Sequence, residues 1–573
     1  METIKVSDYI VEFLVKNNVK DVFGYPGGMV THLMDSLEKN KKIINNHLCY
    51  NEQAAAFAAC SNSQISNNIG VAYTTSGPGA TNLITGISQA YFDSIPTLFI
   101  TGQVNTNESK AGLSVRQRGF QETDIVSIVS SITKYAVVID DAKDIRFHLE
   151  KALSIAKSGR PGPVLLDIPM DISKTNIIIG KLRKYIANNE KQINYQEKLK
   201  TISEQLMIAN RPIIIAGSGV NIANVRVDFR KLIQKLKIPV ITSMIAIDLL
   251  PKNDKYNLGF VGTYGNRTAN FAVMNSDLII CIGSRLDIRQ TGSDLLSFAP
   301  NATIIRLDID ESELNNKIKK TDIDIKCDLH SFVGYLLNNS DIKKKYTNWL
   351  NVCNKYASVL SGLDKNKPNE FVNKISKLVN DNCNVTTDVG QNQVWVSQSF
   401  ENKFNQRILF SGGLGSMGYS LPAAIGAYYA SKKNIIAFCG DGGLQMNIQE
   451  LQFLAREKIP VKIIVLNNNS LGMIRHFQEM YFNSIYTQTV DGMGYSSPNF
   501  CNIAKAYGIK SLNINSLHSL EKISELLDNS LPALINVNLG NTTYIYPKLA
   551  VNKPINDQEP LLDRKLFKYL NDL

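Results

Sequence analysis

Residues 435–473 read IIAFCGDGGLQMNIQELQFLAREKIPVKIIVLNNNSLGM. An apolar run, Ile435 to Cys439, stops at Gly440-Asp441-Gly442-Gly443. A helical pattern follows, with Ile448, Leu451 and Ala455 on one face, and a second apolar run, Val461 to Leu466, ends at Asn467-Asn468-Asn469. The order is strand, tight turn, helix, strand, turn. In a parallel sheet both turns fall at the carboxyl ends of neighbouring strands, so Asp441 and Asn468 converge on one crevice. A carboxylate, an amide oxygen and a backbone carbonyl near Ser470 make three oxygen ligands. This suits Mg²⁺, which takes few protein ligands and fills its shell with water and phosphate oxygens. Gly440, Gly442 and Gly443 let backbone N–H groups approach a diphosphate at a helix start. The expected guest is a magnesium diphosphate.

GDG, then 24 residues, then NN, resembles the thiamine diphosphate (ThDP) signature in the strand-helix-strand context it requires. The fuller run, GDGG-MNIQEL-PVKIIVLNN-LGM, is similar to the acetolactate (acetohydroxyacid) synthase large-subunit family. That resemblance implies an α/β chain of three doubly wound parallel-sheet domains, the ThDP-binding fold of pyruvate oxidases and decarboxylases. The expected domains are a pyrimidine-binding one over 1–180, a flavin- or nucleotide-binding-like one over 190–340 and a diphosphate-binding one over 366–573. Residues 172–200 and 341–365 are charged and read as connectors.

The 573 residues suffice for such a set of cores, and 44% hydrophobic with 20% charged residues marks a globular chain. No apolar run reaches the roughly 20 residues of a membrane span, and Met1 to Asp8 has neither secretory nor transit character, so the cytoplasm is expected and no membrane partner. Eight cysteines without a CxxC pair read as buried thiols rather than a zinc site or disulfide frame. The net charge of +11 is spread, its longest lysine run being Lys343 to Lys345. It reads as solvated surface with a mild pull on anionic substrates, not as a nucleic-acid face.

Two glycine-rich turns mark the first domain, Gly24-Tyr25-Pro26-Gly27-Gly28 and Ser76-Gly77-Pro78-Gly79-Ala80-Thr81-Asn82. Between them Glu52 heads a helix of small apolar residues. A carboxylate there caps a helix dipole equally well. The resemblance makes Glu52 the acid that shares a proton with the aminopyrimidine N1′ of ThDP, a task suited to a carboxyl whose pKa is raised in an apolar cleft. By the same likeness Gly28 and Gln121 join Glu52 as catalytic candidates, and Phe120 lines the pocket. Pro78, Asn82, Gln391, Asn392, Gly415 and Met417 contact ThDP, Met417 from beneath the bent cofactor within Gly412-Gly413-Leu414-Gly415-Ser416-Met417-Gly418. In the middle domain Gly217-Ser218-Gly219 follows an apolar run and could hold a nucleotide, though it is short of a full GxGxxG; Gly262 and Arg285, with Arg160 from the first domain, match flavin-contacting positions of the family, so FAD is implied.

Three positions depart from the family's biosynthetic members. Asn51 stands where they have His, Met170 where they have Lys, and Phe477 where they have Trp. Losing a cation at 170 and an indole at 477 widens the acceptor side of a pocket that also includes Met473. The implied reaction is decarboxylation of pyruvate, a 2-keto acid, with transfer of the hydroxyethyl (acetaldehyde) unit to a second carbonyl. Pyruvate as acceptor gives acetolactate, and a nucleotide-linked ketosugar gives a branched sugar. In this superfamily the site is shared between chains, so a homodimer or homotetramer is expected, while the need for a regulatory subunit stays open.

Overall fold

The apolar runs form the buried middles of three parallel sheets. They appear in a computed structural model that describes residues 3–187, 195–339, 342, 344–364 and 366–573. Strands such as Pro163–Pro169 and Pro212–Ala216 are buried along their whole length, as strands covered by helices on both faces must be.

The first sheet runs Asn45–Leu48, Asp21–Gly24, Gly70–Thr74, Thr97–Gln103, Pro163–Pro169, Tyr135–Val138. The third runs Ile408–Phe410, Cys383–Thr387, Asn434–Gly440, Val461–Asn467, Ala533–Asn538, Lys510–Ile514. Counted from each sheet's own first strand, both follow the order 2-1-3-4-6-5. The middle sheet runs Asn257–Phe260, Val240–Thr242, Pro212–Ala216, Leu278–Ile282, Thr303–Asp308, Ile323–Lys326, the order 3-2-1-4-5-6. Each sheet therefore has a place beside its first strand where the connections from neighbouring strands leave in opposite directions, and a crevice opens there at the carboxyl ends of the strands. In the first sheet the crevice lies after Gly24 and Thr74, in the middle sheet after Ala216 and Ile282, and in the third after Thr387 and Gly440.

The first and third domains meet through two helices. Glu52–Ser66 buries ten consecutive side chains, Ala54 to Ser63, and lies against Ser420–Ser431. A Cβ on Gly426 would stand 1.9 Å from the Ala58 carbonyl oxygen, so the two backbones touch only because that residue is glycine.

Both expected connectors carry structure. Residues 176–178 pair antiparallel with Thr3–Lys5, and the helix Gln196–Ile208 starts before residue 200. Thr347–Leu360 is a helix that buries Trp349, Cys353, Tyr356 and Leu360 in the core of the middle domain. Its four buried positions recur at helical spacing, a pattern that the charged residues before it mask. The helix expected after Gly443 is broken in two. Asp441–Met446 and Leu451–Glu457 are separated at Asn447, whose side-chain amide is drawn to the Gly418 carbonyl and to Gln53. The chain ends on a helix, Arg564–Asn571, that packs on the middle domain with Phe567 5.6 Å from Phe271. Seven of the eight thiols are buried and all are free. Among the described residues no helix is long and apolar enough to cross a membrane.

Candidate functional site

In the third sheet, register sets Gly440 beside Leu466, and Asn467 beside Asn538. The turns that follow these strands consequently share one edge. Asp441 and Asn468 are both buried there. Asn468 donates its amide nitrogen to Gln391 Oε1 (3.0 Å) and Thr543 Oγ1 (2.8 Å). Its Oδ1 thereby faces the Asp441 carboxylate at 3.2 Å and the Ser470 carbonyl at 2.8 Å. Turning the amide round would press its oxygen on Gln391 Oε1, itself an acceptor. Gln391 cannot turn in compensation without losing its own bond from Nε2 to the Thr543 carbonyl (3.0 Å). Three oxygens thus converge, and the Ser470 N–H reaches two of them, Asp441 Oδ2 at 3.1 Å and Asn468 Oδ1 at 3.3 Å. Oxygens so placed repel one another unless a cation sits between them, and a carboxylate, an amide and a carbonyl are donors Mg²⁺ accepts. Among the described residues no group of three His, Cys, Asp or Glu side chains could hold a metal. Burial also pushes the Asp441 carboxyl up to about 6.

The rest of the turn is shaped for close approach. A Cβ on Gly442 would meet Leu471 at 2.8 Å, Met417 Cε at 3.2 Å and the Tyr495 hydroxyl at 3.4 Å. Met417 therefore stands over the Gly440–Gly443 turn. Asn392 lies near Gly440 and is held by Thr387 and Val389. Gly415 has φ +74 and open space around it. Asp388 accepts from the N–H groups of Val389 (2.8 Å), Gly418 (2.9 Å) and Ser420 (3.3 Å), tying the Gly412–Gly418 loop to the sheet. The Gln391 amide, expected to face a diphosphate, is taken up by Thr543 and Asn468.

In the first sheet, Glu52 opens its helix after Asn51, which caps it by accepting from the Gln53 N–H (2.8 Å). Asn82 donates to Glu52 Oε2 at 2.9 Å. A Cβ on Gly79 would meet Thr74 Oγ1 at 2.4 Å and Glu52 Oε1 at 3.3 Å, so the Pro78–Asn82 turn rests directly on the acid. The buried hydroxyls of Thr74 and Ser76 have no hydrogen-bond partner among the described residues. Gln121, at φ +63, packs against Gly77. Met29, beside Gly28, donates to Thr75 and brings the Gly24–Gly28 turn alongside. Glu52, Gln121, Gly28, Pro78 and Asn82 thus gather at one crevice. Phe120 is 79% exposed, which leaves this pocket open in a single chain. Glu122 folds its loop by accepting from Lys110, Arg118 and Gly119; burial opposes its charge, but these N–H donors hold its pKa below the usual carboxylate range. Met170 opens a short helix after Pro169, and Met473 and Phe477 lie on the helix Gly472–Tyr481.

At the middle sheet's crevice is a cavity of about 420 Å³, lined by Arg160, Ser218, Gly219, Ser243, Gly283, Arg285 and Asp308 among others. Gly217 does not face it; a Cβ there would lie 2.1 Å from the Gly283 carbonyl, so this glycine closes the two turns on each other. Gly262, at φ +118, does the same against Arg289. Arg160 is paired with Asp310 and Glu313 across the domain boundary. Ser243 Oγ is buried with no hydrogen-bond partner among the described residues.

Residues 4–128 match the family described as thiamine pyrophosphate enzyme, N-terminal TPP binding domain; 199–336 match its central domain and 388–537 its C-terminal TPP binding domain. The acetolactate synthase large subunit of Lactococcus lactis subsp. lactis (strain IL1403) is 36% identical over 551 residues, covering 95% of this chain and 94% of that one. The chain belongs to the acetolactate synthase large-subunit family of thiamine pyrophosphate enzymes. The isozyme 2 large subunit of Escherichia coli (strain K12) is 33% identical over 94% of this chain and 96% of its own. A probable acetolactate synthase large subunit of Methanocaldococcus jannaschii is 36% identical over 93% and 92%.

For a thiamine pyrophosphate enzyme of this family, the two outer sheets are the cofactor-binding ones, and the oxygen trio and acid described above lie on them. Sequence motifs led to the turns but not to Thr543 or Tyr495 beside them, and they contained Asp388 and Glu450 without showing what those carboxylates hold. Thr543 carried one usable signal, a polar run, Asn541-Thr542-Thr543, just past the carboxyl end of a strand.

Proposed function

We propose that this chain is the catalytic subunit of an acetolactate synthase, decarboxylating pyruvate and joining the two-carbon unit to a second carbonyl. The supporting observation is the oxygen trio of Asp441, Asn468 and Ser470, a cation seat at the turn where a diphosphate fits. Bound ThDP supplies a thiazolium that accepts the electron pair released when CO₂ leaves. Asp441, Asn468 Oδ1 and the Ser470 carbonyl hold Mg²⁺, and Gly440, Gly442 and Gly443 leave room for the phosphates. Glu52 would share a proton with N1′, with Asn82 fixing the carboxylate, and Met417, over the Gly440–Gly443 turn, would pack against the cofactor. Gln121 orients the reacting carbonyl beside Phe120. The cavity at Arg285, Arg160 and Ser243 takes FAD, with Gly219 and Gly283 at the turns and Asp308 at a strand end, where a ribose hydroxyl finds an acceptor.

Glu52→Gln keeps the shape and removes proton sharing. ThDP binding by calorimetry is expected to persist while turnover falls about 10²–10⁴-fold; near wild-type turnover would remove Glu52 from this role. The acceptor side has a second reading. Met170 offers no charge to a keto acid, and Phe477 is 46% exposed, which suits a larger acceptor such as a nucleotide-linked ketosugar. Incubation with pyruvate, ThDP and Mg²⁺, with and without FAD and ketosugars, followed by mass analysis, separates the two. Acetolactate as sole product supports the first reading, and free acetaldehyde alone would sink both. The relatives are named large subunits, and the assembly proposed is a homodimer or homotetramer able to carry a smaller regulatory chain.

A further inference from the structure

We propose that Thr543 is a positioning residue for the metal ligand Asn468, setting which way its amide points. This rests on reading Asp441, Asn468 and Ser470 as the Mg²⁺ seat. An amide can present either end, and only its oxygen binds a cation. On the metal side Asp441 and the Ser470 carbonyl both prefer the amide's N–H, and against them stands the long contact of the Ser470 N–H, 3.3 Å from Asn468 Oδ1 and shared with Asp441 Oδ2 at 3.1 Å. The stronger selection comes from behind. Thr543 Oγ1 donates to Gln391 Oε1 at 2.8 Å, which spends its one proton. Its lone pair then accepts from Asn468 Nδ2 at 2.8 Å, while Gln391 Oε1 accepts the amide's second hydrogen at 3.0 Å. The Thr543 carbonyl in turn accepts from Gln391 Nε2 (3.0 Å) and from the Arg475 guanidinium (2.6 Å), locking Gln391 in the one orientation that offers its oxygen. Thr543 is 4% exposed and lies 75 residues beyond the ligand it orients, on the tail that leaves the strand Ala533–Asn538.

Such outer hydrogen bonds typically carry about 10–100-fold of metal affinity. Mg²⁺-dependent ThDP binding to the full-length protein is measured by titration calorimetry, alongside the melting temperature of the cofactor-free protein. Thr543→Val is expected to raise the Mg²⁺ concentration needed for half-maximal ThDP binding about 10–100-fold. Thr543→Ser, which keeps the hydroxyl, is expected to stay within about 3-fold of wild type. In an Asn468→Asp background, where both ends are oxygen, Thr543→Val is expected to cost little more, a coupling that a packing defect does not produce. Equal losses in the Val and Ser variants, a full Val effect in the Asn468→Asp background, or wild-type Mg²⁺ dependence in Thr543→Val would each overturn the proposal. If instead Asp441→Ala leaves the Mg²⁺ dependence unchanged, the seat itself is misassigned and the failure lies with the functional reading.

Discussion

The amides of Gln391 and Asn468 leave no spare room at the start of the helix Gly472–Tyr481. A Cβ on Gly472 would lie 2.1 Å from Gln391 Oε1 and 2.7 Å from Asn468 Nδ2. Both groups are side-chain ends, but each is pinned by Thr543, so neither can retreat cheaply. Gly472→Ala is therefore expected to cost about 1–3 kcal/mol of stability, as overpacking does, and to weaken Mg²⁺-dependent ThDP binding with it. Gly28→Ala makes the contrast, because a Cβ there meets nothing within 4 Å; its stability is expected within about 0.5 kcal/mol of wild type. Thermal melts of both variants check the pair, and equal costs would show that the Gly472 contact is soft.

The loop ahead of the Glu52 helix is held from the third domain by Glu450. Its Oε1 accepts from the Tyr50 N–H at 2.8 Å, while Oε2 is buried with no hydrogen-bond partner among the described residues. Burial raises its pKa from 4.5 to about 8, against the lowering pull of the Tyr50 and Asn51 N–H groups and of Arg456; the Cys49 thiol also faces it. The folded protein thus keeps a proton that the unfolded chain releases above its ordinary pKa. The sign follows: this group weakens the fold progressively as pH rises from 4.5 to about 8, and costs nothing below that window. Glu450→Gln is expected to stabilise the protein by roughly 2–4 kcal/mol at about pH 8 and by almost nothing near the ordinary carboxylate pKa, read as the difference in melting temperature at the two values. No gain at the higher pH would mean that Glu450 is ionised in the fold. Sequence reading placed Glu450 only within a helical pattern, because its partner is a backbone 400 residues away. Asp441 and Asn468 were legible because a strand ends at each, and parallel register carries such ends to one edge. Thr543 and Tyr495 reach the same crevice along irregular chain, where no periodicity says which way a side chain points. The helix Thr347–Leu360 was missed for a third reason: lysines before it hid an apolar face that only tertiary packing fills.

On the scale of the molecule, one chain leaves two apolar areas uncovered. In the first domain Leu113, Val115 and Phe120 are exposed, and in the third so are Ile474, Phe477, Tyr481, Phe482 and Ile485. Exposed apolar side chains of this kind mark association sites; Phe120 adjoins Gln121, which packs on the Gly77 turn, and Ile474 and Phe477 lie on the helix Gly472–Tyr481 just after Asn468 and Ser470. A two-fold assembly that sets the first domain of one chain on the third domain of its partner would cover both and build each site from two chains. That arrangement has a consequence that a self-contained monomer lacks. Glu52→Gln chains and Asp441→Ala chains are each expected to be nearly inactive alone. Co-expressed in equal amounts, half of the dimers pair one of each, and in every mixed dimer one site draws intact Glu52 and intact Asp441 from opposite chains. About a quarter of wild-type turnover should return in the mixture, and about half once the mixed dimers are purified through two different tags, measured as acetolactate formed per chain. If both groups came from the same chain, each site in a mixed dimer would keep one lesion and turnover would stay at the level of the single variants. The assay thus reads the geometry of the shared site through its chemistry, independently of whether a larger oligomer forms.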